Sequence, residues 1–454
     1  MKYFSAILIV LMFSSCQKFL DKKSSTGITV PQTLSDLQSL LDAAQTMNRQ
    51  VTPSIGEASA DDYFVSATTY NSRDELLKDI YRWVPNPNDD YPNDWSYNYK
   101  PIFNANYCLE MVEKISQTPA NKSQWENVKG SALFFRAYYF LQLAWVYSLA
   151  YDANTADNDP GIALRLSSDF NEPSSRASVS QTYRQIIADA KSSVAYLPDL
   201  AAHPFRPSKA GAYGLLARAY LTMRIYDSAA KYAEYCLDLK SDLMDYNGDP
   251  QINSAATGTT NPFSVFNREI IFYSEASLTA GSLIGSTNGL IDTILYRSYA
   301  SNDRRRRLFF ANATGGFQRF RGNYSVNTRM FSGLATNEIL LITAEAHART
   351  GNINKSMQRL NQLLTKRYDA SFIPINETDQ ESATELILTE RRKELLMRGL
   401  RFADVKRFNK GDHKIVMKRL IGADTVRLHP GDPRFALPLP REVIAQSGMP
   451  QNPY

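Results

Sequence analysis

The sequence predicts a mostly α fold, a scaffold of tetratricopeptide-like helical hairpins carrying long irregular loop insertions and a few short strands. Three observations lead there. Helical periodicity recurs in long segments separated by loops rich in Pro, Asn and Asp. In two of those segments, large and small residues fall at the offsets of a tetratricopeptide hairpin. Strand-like text is limited to short pieces such as Gly161-Ile162-Ala163-Leu164 and Ile270-Ile271-Phe272-Tyr273.

The chain opens with Met1-Lys2, an apolar or small run from Phe4 to Phe13, and then Ser14-Ser15-Cys16. A basic start, a short apolar stretch and small residues before a cut describe an export signal, and the run falls short of the ~20 residues that cross a bilayer. Residues 1–15 are therefore expected to be removed, with Cys16 the first mature residue and the site of lipidation; a cut elsewhere that leaves Cys16 unmodified is the alternative. No later segment holds an uninterrupted apolar run of membrane-spanning length. With no linker or charge block dividing it, 16–454 reads as one domain with an N-terminal part (about 16–240) and a C-terminal part (about 241–454).

After a polar tether, Leu34, Leu37, Leu40 and Leu41 line one face of a helix expected from about 33 to 47. From Val51 to Tyr99 the text is aromatic, acidic and irregular, notably at Pro85-Asn86-Pro87-Asn88-Asp89-Asp90. Helices are then predicted over 97–115 and 123–147, where Ala132, Phe135, Tyr139, Leu143 and Val146 repeat every three or four residues. A Pro/Asp/Ser-rich loop at 152–178 separates these from helices over 180–197 and 208–239, the last broken near Arg224–Asp227. Tyr213, Leu216, Ala217, Tyr220, Tyr226, Ala229 and Cys236 form the first tetratricopeptide pattern; Ala344, His347, Gly351, Ser356, Leu360 and Leu363 form the second. Small residues let paired helices approach while large ones fill the groove between them. About a hundred residues, Asp242 to Ala335, separate the two copies. A helix over 381–398 follows, with Glu390 and Glu394 one turn apart, Arg391, Arg398 and Arg401 placed to meet carboxylates, and Gly399 suited to its end.

At 43% hydrophobic and 21% charged residues, the composition supports a folded globule. A net charge of +5 is small for this length and argues against a nucleic-acid partner. The run Arg304-Arg305-Arg306-Arg307 reads as a solvated loop paired to local carboxylates. Cys108 and Cys236 lie in apolar helical patterns and read as buried thiols.

Together these features resemble the SusD/RagB family of surface lipoproteins. The resemblance rests on Cys16-x-x-Phe19-Leu20-Asp21, on Ala344-Glu345-Ala346-x-Ala348-Arg349-x-Gly351, on Glu390-Arg391-Arg392-Lys393-Glu394-Leu395 with Gly399, Arg401-Phe402, Asp404 and Arg407, and on the tail Pro438-Leu439-Pro440 through Gln451-Asn452-Pro453-Tyr454. It implies a SusD-like fold of tetratricopeptide-type helix pairs with an irregular second face. It further implies a lipid-anchored place at the cell surface on the outer membrane, no catalysis, and a TonB-dependent, SusC-like outer-membrane transporter as partner.

Sugar rings stack their C–H faces on aromatic planes while their hydroxyls seek polar partners, so a glycan site needs loop aromatics among Asn, Asp and Arg. Tyr70, Trp83, Tyr91 and Trp95, with Asp94, Asn86, Asn88 and Asp89, are the ligand-binding candidates; burial against the scaffold is the competing reading. Phe309, Phe310, Phe317, Phe320 and Tyr324, near Arg319 and Arg321, offer a second wall. A peptide ligand suits the same chemistry. Hydrolysis would need two carboxylates across a cleft, and the adjacent pairs Asp61-Asp62 and Asp89-Asp90 do not provide that. Four scattered histidines show no ligand spacing, no Gly-x-Ser-x-Gly elbow occurs, and the acidic turns near Asp157 and Asp245 miss the calcium-loop pattern. No catalytic residue, metal site or cofactor is therefore expected.

Overall fold

The computed structural model describes residues 30–325 and 329–454; the expected export signal (1–15) and Cys16 lie outside the described residues. The first helix, α1 (Leu34–Leu41), starts at Thr33, whose hydroxyl accepts from the Asp36 N–H while the Asp36 carboxylate accepts from the Thr33 N–H. Leu34, Leu37 and Leu41 are buried, as the periodicity requires, and the chain breaks at Asp42–Ala43 before a single turn, Ala44–Met47.

Eight helices make the scaffold: α2 (Asp94–Val112), α3 (Lys122–Tyr147), α4 (Val179–Val194), α5 (Lys209–Thr222), α6 (Tyr226–Leu239), α7 (Thr336–Arg349), α8 (Ile353–Leu364) and α9 (Gln380–Glu394). Each packs on the next in chain order. The central member is α3, buried on every face from Gly130 to Tyr147, which is why its pattern is apolar all round rather than a stripe. Residues 240–335 separate α6 from α7 in sequence, yet the two helices pack directly, so the array is continuous in space. Gly214 permits the close approach of α5 to α7, because a Cβ there would meet the Ile339 side chain at 3.2 Å. The strands form only two-stranded antiparallel ladders among the described residues.

The break after α9 comes earlier than the periodicity suggests. The helix ends at Glu394, and α10 (Arg401–Asn409) begins after Gly399, whose φ of +74° suits glycine. This stretch is held by charge. Arg305, fully buried, bonds Asp303 (2.7 and 2.9 Å), Glu390 (2.5 Å) and Glu394 (3.1 Å). Arg367, equally buried, bonds Glu394 at 2.8 Å, Glu269 at 2.7 Å and the Met244 carbonyl at 2.9 Å. Lys393 closes the circuit on Glu390 and Asp303. The arginine run is thus not simply a solvated loop: Arg304, Arg306 and Arg307 are exposed, but Arg305 is a core ion-pair residue. Arg391 meets Asp404 at 2.8 Å and Arg401 meets Asp61 at 2.6 Å, whereas Arg398 stacks on the Tyr324 ring at 3.9 Å. Cys108 and Cys236 are buried free thiols.

Replacing Arg305 by Met takes one cation from three buried carboxylates, leaving Lys393 for Asp303 and Glu390 and Arg367 for Glu394; urea unfolding is expected to show a loss of about 3 kcal/mol. Glu57 is a second sensitive point. It is 1% exposed, accepts from the Gly399 N–H at 2.8 Å, and is raised to about 8 by burial and by the nearby Asp62. Because its folded value exceeds its unfolded one, stability drains away as pH rises from the ordinary carboxyl range through about 8. Glu57→Gln is expected to flatten that decline and to outlast the parent in chemical unfolding at pH 8–9.

Candidate functional site

A groove of about 550 Å³ opens along one side of α2, within the size range of ligand clefts. Its floor is built by the start of that helix. Asn93 caps it, accepting from the Ser96 N–H at 3.0 Å while Ser96 Oγ accepts from the Asn93 N–H at 2.9 Å. Asp94 anchors the same turn to the core. Its carboxylate accepts from the Ser54 and Ile55 N–H groups at 2.9 and 3.0 Å, from Thr279 at 2.8 Å, and from Ser277. Burial raises this carboxyl above its ordinary range against the pull of those donors.

With the helix fixed there, Trp95, Tyr99 and Phe103 recur every four residues and present one aromatic stripe to the groove. Trp95 lies 4.8 Å from Tyr99, tilted by 37°, and edge-on to Tyr147 at 5.1 Å. The Tyr99 hydroxyl donates to the Ala163 carbonyl at 2.8 Å. Phe103 stacks on Phe170 at 4.7 Å and 22°, and Phe170 is 82% exposed.

The opposite wall is the 165–174 loop, clamped from both sides. Asn106 of α2 donates to the Arg165 and Ser167 carbonyls at 2.8 and 3.2 Å, and is itself held by Arg136, which pairs with Asp189 at 2.7 Å. Glu110 accepts from the Ser168 N–H at 2.7 Å. Arg165 turns back on its own loop, donating to the Asp169 and Glu172 carbonyls and, at 3.3 Å, to Ser174 Oγ. A third wall comes from the last helix, α11 (Arg441–Ser447), through Val443, Gln446 and Ser447, with Met449 just beyond. The tail is pinned there: Asn452 donates to the Tyr147 carbonyl at 2.9 Å, and the Gln451 amide pairs with both the N–H and C=O of Leu439 at 2.8 Å.

Of the five residues expected from the sequence to bind ligand, Trp95 lines this groove, although it is only 7% exposed, and the other four do not line it. Asp94 is spent on the anchor described above. Trp83 is 2% exposed: its indole N–H donates to the Ser59 carbonyl at 2.9 Å, and its ring packs with Phe402, Val405, Met417 and Phe435. That burial has a physical cause, since Trp83 ends the Glu75–Arg82 helix with a φ of +56° and turns inward beneath the Arg419 guanidinium. Tyr70 is half-buried against Tyr81 at 5.7 Å. Tyr91 is 81% exposed but outside the groove lining. The second aromatic wall is mostly core as well: Phe309, Phe310, Phe320 and Tyr324 are buried, and only Phe317 reaches the surface, edge-on to Phe64.

Sequence reasoning missed Tyr99, Phe103, Asn106, Arg165 and Phe170. A signal existed for the first two, because Trp95, Tyr99 and Phe103 share a four-residue spacing once the helix is begun at Asp94 instead of Tyr97. Phe170 was visible only as a lone large ring in a polar loop.

The family profile described as starch-binding and associating with the outer membrane, SusD-like, matches residues 18–221, and the SusD family profile matches 335–444. No curated protein matches the chain. Among solved structures, a SusD superfamily protein from Bacteroides thetaiotaomicron is 19% identical, with a TM-score of 0.76 over 93% of this chain and 100% of its own. A SusD-like carbohydrate-binding protein from Bacteroides vulgatus is 20% identical, with a TM-score of 0.65 over 87% of this chain and 89% of its own. A laminarin-binding SusD-like protein is 18% identical, with a TM-score of 0.63 over 92% and 97%.

Proposed function

Because the chain belongs to the SusD/RagB family, we propose that it is a non-catalytic binding protein that captures oligosaccharide at the cell surface and hands it to an outer-membrane transporter. The observation that carries the reading is the groove beside α2, where Trp95, Tyr99 and Phe103 line up on one helix face opposite a clamped polar loop. Pyranose rings present apolar C–H faces to such planes and hydroxyls to the amides and hydroxyls at the rim. Carbohydrate and laminarin binding in structurally similar proteins support the same ligand class. Among the described residues the groove lining offers no pair of free carboxylates facing each other, since Glu172 is the one acidic residue in it. Binding without turnover is therefore the chemistry its residues favour.

Delivery to a TonB-dependent, SusC-like partner and a lipid anchor at Cys16 complete the proposal. No helix among the described residues is long and apolar enough to cross a membrane.

Two results are expected. In calorimetric titration with a glycan panel, Tyr99→Ala and Phe103→Ala weaken binding about tenfold or more, with Phe103→Ala moving the unfolding transition less than Tyr99→Ala, which also loses the bond to Ala163; unchanged affinity in both variants would place the site elsewhere. In cells, Cys16→Ser moves the protein out of the membrane fraction and abolishes labelling by a palmitate analogue, and retention of both would remove the anchor from the proposal.

A further inference from the structure

We infer that the groove selects uncharged oligosaccharides and rejects chains of uronic or sulfated sugars, an inference that rests on the reading of the groove as the glycan site. Among the described residues, its only charged lining groups are Arg165 and Glu172. An arginine in a sugar cleft would ordinarily mark a carboxylate or sulfate partner, because the guanidinium fork bonds such groups through two parallel N–H donors. Here both terminal nitrogens are engaged: Nη1 serves the Glu172 carbonyl and Ser174 Oγ, Nη2 serves the Asp169 carbonyl, and Nε is the one guanidinium nitrogen without a protein partner among the described residues. Releasing it would undo the clamp on the wall of the groove.

Asp169 and Glu172 are exposed on the same loop, and Glu110 sits beneath it holding Ser168. The other cation whose charge reaches Tyr99, Arg176, is held by the Gly161, Tyr147 and Pro450 carbonyls. Lys100, one position after Tyr99, does not line the groove. An anionic sugar entering here would give up hydration without gaining a fork of donors and would meet like charge along one wall. A neutral sugar meets none of these costs: Asn171 and Gln446, whose amide nitrogens bond Asp169 and Glu442, keep their amide oxygens for its hydroxyls, and Ser167, which accepts from the Asp169 N–H, keeps its O–H.

Affinity gel retardation of the mature protein tests this with neutral polysaccharides (laminarin, starch, mannan, xylan) against acidic ones (polygalacturonate, alginate, carrageenan). At least one neutral polymer is expected to bind, with every acidic polymer about tenfold or more weaker. The double variant Asp169→Lys, Glu172→Lys is expected to gain at least about tenfold toward an acidic polymer at low salt, a gain lost at high salt. An acidic polymer that binds the parent as tightly as the best neutral one, and loses that binding in Tyr99→Ala, overturns the charge selectivity while leaving the groove as the site. A double lysine variant that gains nothing toward acidic polymers overturns the selectivity in the same way. Binding indifferent to both Tyr99→Ala and Phe103→Ala, or no binding by any polymer, overturns the groove reading and the inference together.

Discussion

The structure depends on a buried circuit of charge in which Arg305 and Arg367 share Glu394. Around that carboxylate converge four pieces of chain distant in sequence: the Glu269 segment, the Asp303–Arg305 turn, Arg367 just past the end of α8, and α9 through Glu390, Lys393 and Glu394. Asn337 at the start of α7 adds a fifth by donating to Glu394 at 2.8 Å. Ions removed from water are tolerated only when fully paired and hydrogen-bonded. The circuit therefore fixes the insertion against the scaffold in one arrangement, since a shift that broke any link would strand a charge in the core.

A similar logic sets the groove. An aromatic stripe on a helix makes a usable platform only if the helix cannot rotate or slide. Asp94 supplies that constraint by gathering donors from Ser54, Ile55, Ser277 and Thr279, two separate stretches of chain. The facing loop lacks regular structure of its own and takes its shape from side chains: Asn106 and Glu110 from below, Arg165 from within. Binding surfaces on loops work when a rigid scaffold positions them, and here α2 both bears the rings and holds the loop opposite them.

The dense charge of the late helix and the polar tail thereby acquire a physical meaning distinct from ligand contact. Glu390, Lys393 and Glu394 are inside the molecule, and Gln451 and Asn452 satisfy backbone groups that would otherwise be left unpaired beside the groove. The ion circuit braces the insertion, and Gln451 and Asn452 brace the third wall of the groove.

Much of the scaffold was legible in the sequence. The apolar spacing in α1, the helical periodicity of α3, the break between α5 and α6 and the small residues of the repeat hairpins each dictate local geometry, because helical periodicity and close packing act over a few residues, whereas the burial of α3 on every face exceeded the stripe its spacing suggested. Of the groove lining, only Trp95 had been singled out from the sequence. Trp83 and Asp94 have the composition of ligand residues, yet one turns inward beneath Arg419 and the other ties a helix to the core. Which aromatic is buried and which is presented depends on contacts between segments more than two hundred residues apart, such as the tail at Asn452 meeting Tyr147. The sequence by itself determined most of the scaffold helices, the hairpins between neighbours and the family; only the tertiary structure decided that α6 packs on α7 and that Trp95, Tyr99 and Phe103 line one groove, because burial and long-range hydrogen bonds leave no local trace in the chain.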